Sequence, residues 1–305
     1  MTAPATALGA WSAVVVNFNA GPLLERCVRS LLGDTSAGAP PEVVVVDNGS
    51  EDGSVDALLA AFPDVAVVRP GANLGYARAA NLGIAAARHD VVAVINPDAE
   101  LRTGSAAAML ARFSADPRLG ALGPRIREPG GATYPSARRM PTMAESAGHA
   151  LLAPVWPANP VTRRYRQEDE DPARARDVDW VSGAAIWLRR RALDDVGGWD
   201  ERFFMFLEDV DLCWRLRGAG WRVAYEPAGE VLHVEGVSRA RRPYRSIVAH
   251  HRSALQFAAK RWHGARRVML VPAAGVFALR AAALCAREAV RGGAAARGGA
   301  RQQRD

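Results

Sequence analysis

Through the first 125 residues, short apolar runs alternate with stretches of helical periodicity. The runs at 13–16, 43–46, 66–68, 91–95 and 119–122 are apolar throughout and rich in valine, which predicts strands covered on both faces. Between them the pattern predicts helices over 22–32, 54–61, 76–87 and 104–113. Pro22 falls in the first turn of one, and short polar residues precede others, as normal helix starts require. Strands and helices in alternation predict an α/β fold with a largely parallel, doubly wound sheet. No internal repeat is visible.

The rhythm breaks over 125–180, where Pro/Gly turns and the polar run 163–179 predict a long, partly mobile excursion. Regular structure resumes over 180–188 and continues to 231–233. A helix is expected over 246–262, and an apolar run follows at 268–286. That run is 19 residues long but holds Pro272, Arg280 and many alanines. A central arginine costs a membrane span about 2.5–3.5 kcal/mol. The favoured reading is a helix lying in the membrane interface with arginines at the headgroups. A true span and a soluble packing helix are the alternatives.

Charge sharpens this division. The chain has 305 residues and a net charge of +7, unevenly spread. Residues 1–238 carry 24 basic and 30 acidic side chains, and residues 239–305 carry 15 and 2. The tail therefore predicts an anionic partner, and beside the apolar run an anionic membrane surface fits best. Nucleic acid is excluded as a partner because no aromatic interleaving or reading motif accompanies the arginines. The expected organisation is a domain over 1–240, with halves 1–125 and 126–240, and a basic helical tail over 241–305.

Cys27, Cys213 and Cys285 lie far apart, with no CxxC pair. That excludes a cysteine-based zinc site and suits a reducing compartment. The N-terminus lacks the basic flank and long apolar run of a signal peptide, so the cytoplasmic side of the cell membrane is expected, with peripheral attachment. There is no GxxxxGK[ST] and no GxGxxG, so neither a P-loop nor a dinucleotide site is supported.

Candidate chemistry gathers where open α/β sheets bind ligands, beyond the carboxyl ends of the strands. Those ends read Asn17-Phe18-Asn19, Asp47-Asn48-Gly49-Ser50, Asn73-Leu74-Gly75-Tyr76 and Asn96-Pro97-Asp98. Asp47 can accept from a base imide N–H, and asparagine and glycine can approach sugar and phosphate closely. At any one strand end, such residues also simply make turns. Asp98 is the metal candidate, since Mg²⁺ or Mn²⁺ on a diphosphate needs oxygen ligands. His233, ending a later strand, could add a nitrogen, which suits Mn²⁺ somewhat better. Farther on, Glu208-Asp209-Val210-Asp211 opens a helix inside the apolar wrapper 204–207. Acids in a first turn complement the helix dipole. The wrapper points to a further role for one of them, a general base whose pKa burial raises.

Taken in order, Asp47-Asn48-Gly49-Ser50, Asn73-Leu74-Gly75, Asn96-Pro97-Asp98-Ala99, Trp180-Val181-Ser182-Gly183, Gly197-Gly198-Trp199-Asp200-Glu201-Arg202-Phe203, Glu208-Asp209-Val210-Asp211-Leu212 and His233 resemble inverting family-2 glycosyltransferases of the GT-A fold, rhamnosyltransferase branch. The resemblance spans roughly residues 12–240. A narrower likeness, carried by Ala121-Leu122-Gly123-Pro124, Tyr134-Pro135-Ser136-Ala137-Arg138, Trp156-Pro157, Asn159-Pro160 and Tyr165-Arg166-Gln167-Glu168, is to actinobacterial enzymes that add L-rhamnose to N-acetylglucosaminyl-diphospho-decaprenol, a step in arabinogalactan linker synthesis. It implies a GT-A fold, Rossmann-like with a doubly wound mixed sheet, and a C-terminal helical, membrane-associating extension.

The same resemblance implies roles. Asp47 would hold the base, while Asn17, Asn73 and Arg78, with Asn19, Asn48 and Asn96, would line the nucleotide-sugar cleft. Asp98 and His233 would hold Mg²⁺ or Mn²⁺. Asp209 would be the base, with Glu208 beside it, and Trp180, Ser182 and Gly183 would shape the acceptor side. The family's Asp-x-Asp stands here as Asn96-Pro97-Asp98, and an amide binds a cation more weakly than a carboxylate. The implied partners are a dTDP-sugar donor, dTDP-L-rhamnose, and a polyprenyl-diphosphate-linked GlcNAc acceptor. Another donor sugar, galactofuranose or mannose, and a non-catalytic nucleotide-sugar-binding scaffold are the rival readings. A homo-oligomer stays open.

Overall fold

The computed structural model describes residues 9–140, 142, 145, 156, 158–167, 170–234 and 243–302. Pro157, Glu168 and the expected boundary at residue 240 lie outside the described residues. The chain divides into two compact units, residues 1–202 with 208–235, and residues 203–207 with 236–305.

The first unit is built on a ten-stranded sheet. Strands β1 (Ser12–Asn17), β2 (Glu42–Asp47), β3 (Ala66–Val68) and β4 (Val91–Ile95) run parallel in the order β3-β2-β1-β4. Every residue of β1 and β4 is buried. That is the expected result for valine-rich strands with helices on both faces. Helix α1 (Pro22–Gly33) opens with Pro22 after Gly21, α2 is Ser54–Ala61, and α3 is Tyr76–Ala86. The small buried face of α3, Ala77, Ala79, Ala80 and Gly83, lets it approach the sheet closely. A Cβ at Gly83 would meet Val14 and come within 2.9 Å of Val46 Cγ2.

Beyond β4 the sheet becomes mixed. β5 (Ala99–Leu101), α4 (Ser105–Ala115) and β6 (Leu119–Arg127) follow in the chain. β11 (Ala185–Arg189) then enters antiparallel to both β4 and β6. The mixed GT-A-like sheet is therefore present, with β11 departing from the largely parallel pattern. An apolar run buried on both faces reads the same in either direction, so periodicity could not give that orientation. β12 (Arg222–His233) runs parallel to β6 and antiparallel to β5. Both β6 and β12 extend past their apolar runs, and each contains a proline. Pro227 falls in the register shift between Glu226 and Glu230, an irregularity of the kind that tolerates proline. The core packs α1, α4 and the sheet around the Trp11–Trp187 pair, whose ring centroids are 4.3 Å apart.

The described part of 125–180 holds short elements. These are β7 (Thr133–Tyr134), β8 (Ala137–Arg138), α5 (Pro160–Arg166) and β9 (Arg176–Asp177). Asn159 caps α5 by accepting from Thr162 N–H at 2.9 Å. β10 (Trp180–Val181) pairs with β8 in a separate two-stranded ribbon. α6 (Arg190–Val196) and α7 (Glu208–Gly218) complete this unit.

The second unit contains α8 (Pro243–Arg261), a 3₁₀ turn (Gly264–Met269) and α9 (Leu270–Gln302). Both expected helices are longer than their sequence patterns. Within it, Ser253 Oγ donates to Met205 O at 2.8 Å, and Phe206 meets His250 edge-on at 5.5 Å. Phe206 and Leu207 both adopt left-handed backbone, φ 69° and 62°. Phe204 is exposed, so the 204–207 wrapper is not a uniformly buried wall.

Candidate active site

The strand ends expected to face the nucleotide are tied to one another by their own side chains. Asn17 is fully buried at the end of β1, and its amide donates to Ser50 Oγ (3.0 Å) and Ser54 Oγ (2.9 Å). Asn19, in left-handed conformation (φ 53°), accepts from Glu51 N–H through Oδ1 at 2.8 Å. Asp47 ends β2, where Oδ1 accepts from Ser50 N–H at 3.1 Å and Oδ2 lies 3.9 Å from Arg69 Nε. Asn48 is buried, donating to Asn73 Oδ1 (3.2 Å) and Gly75 O (3.3 Å) and accepting from Leu74 N–H (2.8 Å). Gly49 has φ 83°, and a Cβ there would sit 2.9 Å from Asn73 N, so only glycine fits.

Asn17 and Asn48 thus spend their side chains holding the loop that carries Asp47. Both side chains are buried, and Asn17 Oδ1 is buried with no partner among the described residues. Asn73 also accepts from Gly75 N–H at 3.0 Å. Arg78 lies 3.6 Å from Glu201, both half exposed. The Asn96 backbone bridges to the later strand, donating to Ala184 O at 2.9 Å.

Asp98 and His233, 135 positions apart, are adjacent: Oδ1 and Nε2 are 3.1 Å apart. The antiparallel β5–β12 pairing sets His233 opposite Ala99 and makes this contact. His233 Nδ1 is buried with no partner among the described residues. A carboxylate oxygen and an imidazole nitrogen side by side suit a divalent cation. No group of three or more His, Cys, Asp or Glu is gathered among the described residues. Among the described residues the pair therefore offers two protein ligands to such a cation, one oxygen and one nitrogen. Cys27 lies near, but burial, with the Asp98 and Glu100 charges, pushes its thiol well above the usual range. It is a neutral packing residue, not a thiolate ligand.

The acids of α7 divide by environment. Asp209 accepts from Gly183 N–H through Oδ2 and from Val210 N–H through Oδ1, both at 2.8 Å. Burial raises its carboxyl above the ordinary value, against those two N–H groups and the Arg138 charge. Glu208 is raised much further, by burial and then by the Asp209 charge, and its Oε2 is buried without a partner among the described residues. Burial and the Asp209 charge favour the proton on Glu208, while two backbone N–H groups and Arg138 favour the carboxylate at Asp209. Asp211 is fully buried and pairs with Arg215 at 2.6 Å. Arg215 in turn donates to Val196 O (2.8 Å) and Gly198 O (2.7 Å), fixing the Gly197-Gly198-Trp199 turn.

On the expected acceptor side, Gly183 touches Asp209 directly, and a Cβ there would lie 3.2 Å from Asp209 Cβ. Ser182 donates its N–H to Ser136 O at 2.8 Å. Trp180 is buried and donates Nε1–H to Arg139 O at 3.1 Å, so it supports β8 and does not present an open face.

Sequence reading missed Tyr76. Its hydroxyl donates to Gly183 O at 3.0 Å, and its ring meets Trp199 edge-on at 5.8 Å. Burial first, and then the acidic groups around it, Asp209 and Asp98 among them, raise the phenol well above its ordinary value. Tyr76 therefore braces Gly183, whose N–H holds Asp209. An aromatic residue opening the helix after Asn73-Leu74-Gly75 was the available signal. Asn81 was missed too, although it exchanges hydrogen bonds of 2.9 Å with both Trp199 N and Trp199 O.

This arrangement can seat a nucleotide at Asp47, a diphosphate-bound cation at Asp98 and His233, and a proton acceptor at Asp209. Comparison with known proteins gives the family and the fold. The chain is 44% identical over 262 residues to the N-acetylglucosaminyl-diphospho-decaprenol L-rhamnosyltransferase of Mycobacterium tuberculosis, covering 82% of this chain and 84% of that one. A mannosyltransferase of Pyrobaculum calidifontis, crystallised with GDP-Man and Mn²⁺, superposes with a TM-score of 0.54 at 19% identity, over 92% of this chain and 75% of that one. GalNAc-T7 with UDP, GalNAc and Mn²⁺ gives 0.56 at 17%, over 74% of this chain and 44% of that one. These two likenesses carry the fold alone. The family model Glycosyl transferase family 2 matches residues 12–197, from β1 through α6 to the Gly197 turn, and the chain belongs to that family.

Proposed function

We propose that this chain transfers L-rhamnose from dTDP-L-rhamnose to N-acetylglucosaminyl-diphospho-polyprenol with inversion at the anomeric carbon, in cell-wall linker (arabinogalactan) synthesis. The observation that carries the substrate reading is the 44% identity to the M. tuberculosis rhamnosyltransferase over most of both chains. The geometry supports the chemistry. Asp209, the ionised member of its pair, takes the proton of the acceptor 3-hydroxyl. That oxygen forms the new bond to the anomeric carbon as the bond to the donor phosphate breaks and dTDP leaves. Asp98 and His233 would hold the divalent metal, Mg²⁺ or Mn²⁺, which when bound neutralises charge on the leaving diphosphate. Asp47 accepts from the thymine imide, and the Asn48–Asn73 bridge sets the loop around it. Gly183, held from one side by Tyr76, orients Asp209 toward the acceptor.

A panel of sugar nucleotides tested on a soluble polyprenyl-diphosphate-GlcNAc analogue decides the donor. The expected result is transfer from dTDP-L-rhamnose, and transfer abolished by EDTA and restored by Mg²⁺ or Mn²⁺. Preference for a galactofuranose or mannose nucleotide overturns the donor, and EDTA-resistant turnover overturns the metal.

The lipid-linked acceptor gives the second unit its role at the cytoplasmic face of the membrane. Gly264–Ala289 is long and apolar enough to cross a bilayer, and none of its most apolar window is buried. Val271 (77%) and Leu279 (74%) are exposed eight positions apart, on one side of α9. Arginines at 266, 267, 280 and 287 interrupt the stretch, which favours a helix in the interface over a span. Burying each of the two side chains is worth about 1.5–3 kcal/mol. Full-length protein carrying Val271→Glu with Leu279→Glu should therefore lose about tenfold or more of its flotation with phosphatidylglycerol vesicles. Unchanged flotation removes α9 from the contact.

A further inference from the structure

Arg138, in β8, is enclosed by aromatic rings. Its guanidinium carbon lies 5.0 Å from the Trp180 ring centroid, 5.4 Å from Tyr134 and 5.8 Å from Tyr165. Nε donates to Pro135 O at 2.7 Å and Nη2 to Tyr134 Oη at 2.9 Å. With its faces against rings and these donors committed, the group is poorly disposed to bind a phosphate. It is instead a fixed charge.

The fold ties that charge to the base. β8 pairs with β10 so that Arg138 stands opposite Trp180. Ser182 N–H then bonds Ser136 O across the same two segments, and the next residue, Gly183, grips Asp209 Oδ2. Besides the Gly183 and Val210 N–H groups, the side chains acting on Asp209 come from three elements. α7 contributes Glu208 and Cys213, α3 contributes Tyr76, and β8 contributes Arg138. Burial holds Glu208, Cys213 (thiol pushed up to about 12) and Tyr76 in their neutral forms. The cation in this set is Arg138.

We propose that Arg138 is a positioning residue that, together with the Gly183 and Val210 N–H donors, favours the carboxylate of Asp209 inside its buried setting, and so lowers the pH at which acceptor deprotonation sets in. The proposal rests on the reading of Asp209 as base. The sign follows from charge. A nearby cation favours the carboxylate, so its removal raises the Asp209 pKa, and activity that requires the ionised form is lost at a higher pH.

In Arg138→Gln the acid limb of kcat/KM for the acceptor should move up by about one pH unit. Activity should fall about tenfold below the limb and return close to wild type above it. Arg138→Met, whose flexible thioether fits between the rings, is the second charge-removing variant and should behave alike. Arg138→Lys should keep the limb near its wild-type place, as should Tyr134→Phe, which removes a hydrogen bond but no charge. Carbon-13 NMR titration of the Asp209 carboxyl in the full chain reads the same shift without turnover. A uniform loss across pH with an unmoved limb, or an unmoved carboxyl titration, overturns the proposal. A displaced titration in a protein that transfers no rhamnose supports the electrostatic role and overturns the proposed reaction instead.

Discussion

Replacing Asp209 by Asn should lower kcat by about 10²–10⁴-fold, the usual loss when a general base is removed. The amide nearly matches the carboxylate in shape but cannot take a proton. It also has a single acceptor oxygen where Asp209 accepts from both Gly183 and Val210 N–H at 2.8 Å. One of those donors loses its partner, so part of the defect is misorientation. The loss should appear equally in kcat and in kcat/KM for the acceptor, because the proton leaves only on the way to the transition state. KM for the donor should hold, since Asp47, Asn73, Asp98 and His233 are untouched. The same measurement on Glu208→Gln separates the two acids. Glu208 is raised furthest by burial and the Asp209 charge and keeps its proton, so its amide should cost less. Asp209→Asn turnover within tenfold of wild type would take the base role from Asp209.

The largest expected effect on stability is at Asp211. Its carboxylate is fully buried and pairs with Arg215 at 2.6 Å, while the Arg215 side chain is itself 17% exposed. Arg215 also supplies the bonds to Val196 O and Gly198 O that hold the turn between α6 and Trp199. Asp211→Ala leaves this guanidinium in a poorly solvated site without its carboxylate. Breaking a buried pair in this way costs about 3–5 kcal/mol. Urea denaturation should register that loss as a lower midpoint with a nearly unchanged slope. Asp211→Ala combined with Arg215→Met removes the stranded charge, so the double variant should be less destabilised than the two single costs together. Strict additivity would mean that the pair does not act as a unit.

The first half of the fold was legible because its signals are local. Strands β3 and β4 and helix α2 fall at the expected residues, since valine runs and polar breaks respond to short-range sterics and burial. β6 and β12 run past the expected 119–122 and 231–233, each across a proline, Pro124 and Pro227. The irregular β6–β12 pairing absorbs both, and that depends on a partner far away in sequence. Asn17 and Asn48 were legible as strand-end polar residues, but not as buried braces. Whether an amide faces a cleft or a neighbouring loop depends on what the fold places beside it.

By itself, the sequence determined the α/β alternation, the ordered motifs of a glycosyltransferase, the acids opening α7 and the division between an acidic body and a basic tail. Tertiary structure decided which of those groups meet. Antiparallel pairing of β5 with β12 brings His233 to Asp98, and the turn after β10 delivers Gly183 N–H to Asp209. Tyr76, from the distant helix α3, donates to Gly183 O and so braces that turn. Strand order and direction leave no trace in a period-two or period-3.6 pattern, so these contacts appear only once the chain is folded. The same holds for charge. Three acids within four positions look alike in sequence, and become a carboxylate held by two backbone N–H groups, a neighbour on which burial favours the proton, and a structural ion pair, through burial and the donors that reach each one.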